Sequence, residues 1–333
     1  MEEPSAASAR AQSPLRRPIA GITGLGHAVP EKVVANGVIE RSLDLEPGWI
    51  EKRTGIQRRH IVGHSETVSG LGAGAAVRAL ASADASAESI DLVLVSTISP
   101  DRLLPNVAPV IASVIGADGA GALDIGAACS GWVSAIGVAA AQIESGRMQR
   151  ILVVGVDVMS RFLDSGDRTT LSLFSDAAGA AVVEAVDDSR GIGPVVMGSD
   201  GGNGHLITAS PTARNPKIIM SGLDTFREAV RRMSEVAINA VEAFGCELGE
   251  IDYFVFHQAN GRILDALVDE LALEQTRVLN TIRDYGNSSS GTMPLTLDLF
   301  DRDQGLPDGS LVLLAAFGAG LTWAGTVVEW SAA

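Results

Sequence analysis

Three residues of this 333-residue chain stand where α/β proteins gather their reactive groups, just past apolar runs: Cys129, His257 and Asn287. In open sheets of that class, such groups collect beyond the carboxyl ends of strands, at the N-termini of the helices that follow. Cys129 lies in DIGAACSGWVSAIGVAAAQIESG, where a strand-like run meets a long Ala/Gly-rich helical pattern. A helix N-terminus offers unpaired N–H groups and a positive dipole end, which stabilise a thiolate, and the thiolate is the nucleophile. The small neighbours Ala127, Ala128, Ser130 and Gly131 leave room for an acyl group and for N–H donors to an oxyanion. A lone cysteine is nonetheless more often an inert buried side chain. His257 closes IDYFVFHQAN, where an apolar run turns abruptly polar, and a core or helix-capping histidine would look the same. Asn287, in RDYGNSSSGTMPL, reads equally as a turn with a helix N-cap. Singly, none of the three signals function.

The elements that must position them are legible as alternation. IDLVLVST (90–97), GALDIGA (121–127), ILVVGVDV (151–158), GAAVVEAV (179–186), IDYFVFH (251–257), RVLNTI (277–282), SLVLLAAFG (310–318) and WAGTVVEW (323–330) read as strands. Continuous apolar strands belong to sheets covered on both faces. ETVSGLGAGAAVRALASA and DTFREAVRRMSEVAINAVEAF are amphipathic helix patterns. The order strand, helix, strand, helix, strand occurs twice with similar spacing, an internal-repeat signal. The expected fold is α/β: a five-layer αβαβα sandwich of two pseudo-duplicated βαβαβ halves, residues 19–187 and 188–333, behind a disordered tail over 1–18. Cys129, His257 and Asn287 fall at equivalent junctions and would converge where the halves meet.

Bulk composition narrows the classes. The chain is 46 % hydrophobic and only 20 % charged, which points to extra buried area, for example between subunits. A net charge of −15 argues against general nucleic-acid or membrane-surface binding. Two cysteines, Cys129 and Cys246, are too few for a disulfide framework. Nothing at the start resembles a secretory signal, so a reducing cytoplasm is expected. No metal-ligand spacing or phosphate-binding loop is present, and GITGLG (21–26) is only a faint nucleotide fingerprint.

Read together, the motifs GWIEKRTGIQRRHI (48–61), AACSG (127–131), GDRTTLSLFSDAAGA (166–180), FHQANGRI (256–263), YGNSSSG (285–291) and AFGAGLTW (316–323) fall in one order. In that order the chain resembles β-ketoacyl-acyl-carrier-protein synthase III and its relatives among the thiolase-fold condensing enzymes, from about Ile22 to Trp330. The resemblance implies a decarboxylative Claisen condensation in fatty-acid or polyketide initiation. An acyl group from acyl-coenzyme A loads onto Cys129, and malonyl-carrier protein or malonyl-coenzyme A supplies the second unit. It casts His257 and Asn287 as the pair that hydrogen-bonds the malonyl thioester carbonyl. Trp49 and Arg168 would hold the adenine of coenzyme A, with Arg53 beside its nucleotide portion. Asn260 and Gly222 would line the pantetheine tunnel, and Phe174 and Phe317 would lie near the nucleophile and acyl chain. Ala319 takes the place of a glycine whose N–H joins that of Cys129 in an oxyanion hole. No cofactor is implied, since coenzyme A thioesters are substrates.

Arg227, Arg231 and Arg262 would dock an acidic acyl carrier protein by charge attraction, although Glu228 and Glu235 on the same helix are equally the mark of a solvated face. Low charge and the family's pocket-closing contact near Leu104 imply a homodimer. The chain departs from the family at Ser175-Asp176-Ala177-Ala178-Gly179, at Asn287-Ser288-Ser289-Ser290-Gly291-Thr292, where Asn-Thr-Ser-Ala-Ala-Ser is usual, and at Leu104, where one branch has an aromatic. Those departures leave a specialised metabolic role open. The rival reading is a non-condensing acyltransferase that passes the acyl group to a hydroxyl or amine; the intact Asn287 favours condensation. A Cys-nucleophile α/β-hydrolase would want glycine where Ala127 stands. A non-catalytic partner subunit would lack Cys129.

Overall fold

The computed structural model describes residues 18–186, 191–209 and 216–331. The expected tail, apart from Pro18, lies outside them. Two sheets form. The first orders its strands Ile19–Ala28, Asp176–Val186, Arg150–Val158, Leu92–Ser96 and Gly121–Ile125. Leu92–Ser96 runs parallel to both neighbours, and the other pairings are antiparallel. The second orders Tyr253–Phe256, Leu311–Gly318, Thr322–Glu329 and Val196–Ser199, the first pair parallel and the rest antiparallel.

The plan is the same in both halves, with one departure. Where the first sheet has Gly121–Ile125, the second has a single parallel bridge between Phe254 and Val278. RVLNTI (277–282), expected as a strand, is therefore not one. The cause is Gln258, which is fully buried. Its Oε1 accepts from the N–H groups of Thr281 (3.0 Å) and Ile282 (3.2 Å), and its Nε2 donates to the carbonyl of Leu279 (3.3 Å). A side chain has taken the backbone groups that a strand would use.

Five layers result. Helices Val68–Ser82 and Val107–Ile115 cover the outer face of the first sheet, and Gly222–Phe244 and Gly261–Glu270 cover that of the second. Between the sheets lie Gly131–Glu144 and Thr292–Gln304. Their core joins Trp132, Ile136, Met293 and Leu297 to Leu94 and Val153 of one sheet and Leu314 and Ala316 of the other. The first strand, Ile19–Ala28, went unrecognised in the sequence because of its glycines, and the structure gives their use. A Cβ at Gly26 would meet the backbone of Ala79 in helix Val68–Ser82 at 2.4 Å, so GITGLG marks a close helix-on-strand contact.

The outer edge of Gly121–Ile125 has no strand partner among the described residues, and Leu123 is exposed on it. Leu103, Leu104 and Val114, before and within the helix Val107–Ile115 that packs on this strand, are exposed too. No helix among the described residues is long and apolar enough to cross a membrane.

Candidate active site

Each half delivers one tight turn to a shared cavity. In the first, the 3₁₀ turn Ala128–Ser130 carries Cys129 into helix Gly131–Glu144. In the second, Asn287 precedes the 3₁₀ turn Ser289–Gly291, which opens helix Thr292–Gln304. Ala128 and Ser289, the first residues of the two turns, have φ of 45° and 54°. That left-handed conformation costs a non-glycine residue about 1–2 kcal/mol and persists only where the surroundings enforce it. Here they do. The Ser130 hydroxyl donates to Thr322 Oγ1 (2.9 Å), and the Ser290 hydroxyl reaches the Ser96 carbonyl and the Asp157 carboxylate (both 2.9 Å). A Cβ on Gly155 would lie 2.3 Å from the Ser290 carbonyl oxygen, and one on Gly318 would lie 2.7 Å from the Cys129 nitrogen. Only glycine lets the turns press so closely on the sheets.

His257 follows the strand Tyr253–Phe256, its N–H donating to the Ala315 carbonyl (3.0 Å). Its Nδ1 lies 2.8 Å from Thr292 Oγ1. Asn287 is clamped against Phe174: its N–H donates to the Leu173 carbonyl (3.0 Å), and its own carbonyl accepts from Ser175 N–H (2.9 Å). Its Oδ1 accepts from Ser289 N–H (2.9 Å), which fixes the amide orientation. Nδ2 is then the end that donates to the Ala259 carbonyl (3.3 Å), and its second proton is available to a ligand.

Cys129, His257 and Asn287 share one cavity of about 810 Å3, which Phe174, Phe317, Ala319, Gly222 and Asn260 also line. His257 and Asn287 are buried, whereas Trp49, Arg53 and Arg262 line the same cavity at exposed or half-exposed positions, so the cavity runs inward from a cationic rim. The Arg53 guanidinium lies 4.2 Å from the Trp49 ring centre. Arg168 is exposed and does not line the cavity, but it stands 5.5 Å from that ring. Asn260 caps helix Gly261–Glu270, its side chain accepting from Arg262 N–H.

The three docking candidates differ. Arg227 is exposed, 3.8 Å from Asp224; Arg231 is held by Glu228 (2.6 Å) and Glu235 (3.3 Å). Arg262 donates to the Lys52 carbonyl at the rim (3.1 Å).

Burial sets the charge states. It pushes the Cys129 thiol up to about 12, and buried Asp157 adds to the rise. The helix N-terminus was expected to favour the thiolate; desolvation outweighs it. The Ser289 hydroxyl lies close to both the thiol and Asp157, but without the alignment of a hydrogen bond. Burial also pushes His257 down to about 3, so its imidazole is neutral. Sequence reading missed Asp157, Thr292 and Gly318, and the apolar wall of Met159, Phe162, Ile207 and Phe226. For Asp157 a signal was present: a charge inside the continuous apolar run ILVVGVDV.

A cysteine turn and a His/Asn pair meeting between two copies of one α/β half define a thiolase-fold condensing enzyme. Sequence and structure comparisons narrow the class. The profile of 3-oxoacyl-[acyl-carrier-protein] synthase III matches residues 123–201, and that of its C-terminal part matches 241–330. The β-ketoacyl-[acyl-carrier-protein] synthase III of Symbiobacterium thermophilum is 39 % identical over 326 residues, spanning 94 % of this chain and 98 % of that protein. The crystal structure of 3-oxoacyl-[acyl-carrier-protein] synthase III from Aquifex aeolicus superposes with a TM-score of 0.90 at 34 % identity, over 93 % of this chain and 100 % of that one. A priming β-ketosynthase from a polyketide biosynthetic pathway gives a TM-score of 0.91 at 36 % identity, over 97 % and 99 %. The chain belongs to the 3-oxoacyl-[acyl-carrier-protein] synthase III family.

The charge state of Cys129 is open to measurement. In Cys246→Ala protein, alkylation of Cys129 by iodoacetamide should keep rising about tenfold per pH unit through pH 10, without the plateau an ordinary thiol near 8.5 would show. A plateau below pH 9 would mean that the helix terminus, not burial, sets this thiol.

Proposed function

We propose that the protein primes chain assembly by joining an acyl thioester to a malonyl thioester. The supporting observation is that Cys129, His257 and Asn287, contributed by two halves of the chain, line one cavity with a cationic rim. In the first half-reaction the Cys129 sulfur attacks the carbonyl of an acyl-coenzyme A. The new thioester forms, and the coenzyme leaves as its thiol with the proton that Cys129 gave up. The oxyanion of that step accepts from the backbone N–H groups of Cys129 and Ala319. In the second, a malonyl thioester places its carbonyl oxygen against His257 and Asn287 Nδ2. As CO2 leaves, charge gathers on that oxygen. Preorganised donors in a dry site stabilise it far better than water does. The enolate carbon then attacks the acyl-cysteine, forming the carbon–carbon bond and returning the Cys129 thiolate, which takes up a proton.

Under this reading the adenine end of the coenzyme rests on Trp49, between Arg53 and Arg168, and its pantetheine arm passes Gly222 and Asn260. Arg227 and Arg262 receive the carrier protein. Arg231 contributes less, since two glutamates already hold it. Charge reversal at Arg227 should raise KM for malonyl-carrier protein and leave KM for malonyl-coenzyme A unchanged; an equal effect on both would remove it from docking. A second copy covers the bare edge of Gly121–Ile125, so the protein should sediment as a dimer, and a fully active monomer would refute that.

Separating the half-reactions tests the division of labour. Removing one oxyanion donor costs about 10²–10³ in rate, or ~3–4 kcal/mol. Asn287→Ala should therefore load acyl groups near the native rate, yet release CO2 from malonyl thioester at least about a hundredfold more slowly. Equal losses in both steps would make Asn287 a structural residue.

A further inference from the structure

The Thr292 hydroxyl has one proton and two acceptors in reach: His257 Nδ1 at 2.8 Å and the Ser289 carbonyl at 3.0 Å. Where that proton points decides which nitrogen of His257 carries its own. If the hydroxyl donates to Ser289, it must accept from Nδ1–H, and Nε2 faces the cavity as a bare lone pair. If it donates to Nδ1, the ring proton sits on Nε2 and faces the cavity as a donor. Both arrangements pair the hydroxyl and Nδ1, so the choice falls to what the site must present: Asn287 already aims an amide donor into the cavity, and a second donor beside it suits an oxygen that gains charge. The Ser289 carbonyl already accepts the backbone N–H of Thr292, so it does not depend on the hydroxyl. Nδ1 has no hydrogen-bond partner among the described residues other than Thr292 Oγ1, and both side chains are buried.

We infer that Thr292 is a positioning residue: its hydroxyl donates to Nδ1 and holds His257 in the tautomer that presents Nε2–H to the cavity. Beside it, Asn287 Nδ2 presents a second donor, and the two together fit one negatively charged oxygen. Burial keeps the ring neutral over the working pH range, so the tautomer and not the charge sets its role. In this tautomer His257 has no lone pair toward Cys129 and does not take the thiol proton. The inference deepens the condensation reading and rests on it for the identity of the oxygen. The tautomer itself can be read without any substrate.

The experiment has two arms. In the first, ¹⁵N chemical shifts of labelled histidine in the unliganded protein, assigned by comparison with His257→Ala, should show a protonated Nε2 and a bare Nδ1. The opposite pattern would overturn the inference. In the second, Thr292→Val should slow CO2 release from malonyl thioester about tenfold or more, the scale seen when the hydrogen-bond partner of a metal-bound histidine is lost. Acyl loading should change by less than about twofold, and Thr292→Ser should restore CO2 release. Native CO2 release by Thr292→Val would overturn the inference, as would loss that serine fails to rescue. Should the native protein release no CO2 from any malonyl thioester, the condensation reading fails, while the ¹⁵N arm still decides the tautomer.

Discussion

The Asp157 carboxylate, sealed between the two halves, is the tie on which the site depends. One oxygen accepts from Thr97 Oγ1, Ile98 N–H and Ser99 Oγ at 2.8–3.1 Å, all in the loop after strand Leu92–Ser96. The other accepts from the Ser290 hydroxyl and N–H at 2.9 and 3.3 Å, in the turn of the opposite half. A buried carboxylate is costly unless its lone pairs are met, and this one is met from both sides of the junction. Because the donors belong to different halves, the carboxylate holds the strained Ser289 turn against Gly155 and the strand end beside Cys129. Asn287 and Thr292 flank that same turn, so the tie fixes them as well.

Burial has a second effect. Burial raises the Cys129 thiol and Asp157 and lowers His257, so thiol and imidazole rest uncharged. Chemistry in such a site proceeds through oriented dipoles, whose interactions are stronger at low dielectric than in water. In this account backbone N–H groups meet the charge of acyl loading, and two side-chain donors meet the charge of decarboxylation. In the proposed reaction the charged end of the coenzyme stays outside, at the rim of Trp49 and Arg53 with Arg168 beside it.

Much of this was legible in the sequence, for identifiable reasons. The strands ILVVGVDV and SLVLLAAFG are apolar because both their faces are covered, and apolar runs are what pattern reading detects best. Cys129, His257 and Asn287 were each ambiguous alone and stood out only as members of an ordered set of motifs. RVLNTI misled because its composition is that of a strand, and only the buried Gln258, nineteen or more positions away, takes its hydrogen bonds. The strand Ile19–Ala28 was hidden by glycines chosen for contact with a helix far along the chain. Thr292 lay one residue past a recognised motif and Gly318 inside another, yet their use depends on contacts with His257 and Cys129 that no local spacing encodes. The helix end at Cys129 was legible as a position, but how far burial offsets its pull toward the thiolate was not, since desolvation is a property of the whole fold.

The most direct measurement of the central claim follows the mass of Cys129 through one turnover. Purified protein is incubated with a panel of acyl-coenzyme A thioesters, its intact mass recorded, and malonyl thioester then added while CO2 is collected. One acyl group should appear per chain, absent in Cys129→Ala, and should leave the protein only as an equal amount of CO2 is released. An acyl group that persists beside malonyl thioester, or that a hydroxyl or amine acceptor removes without CO2, would contradict condensation and install the acyltransferase reading in its place.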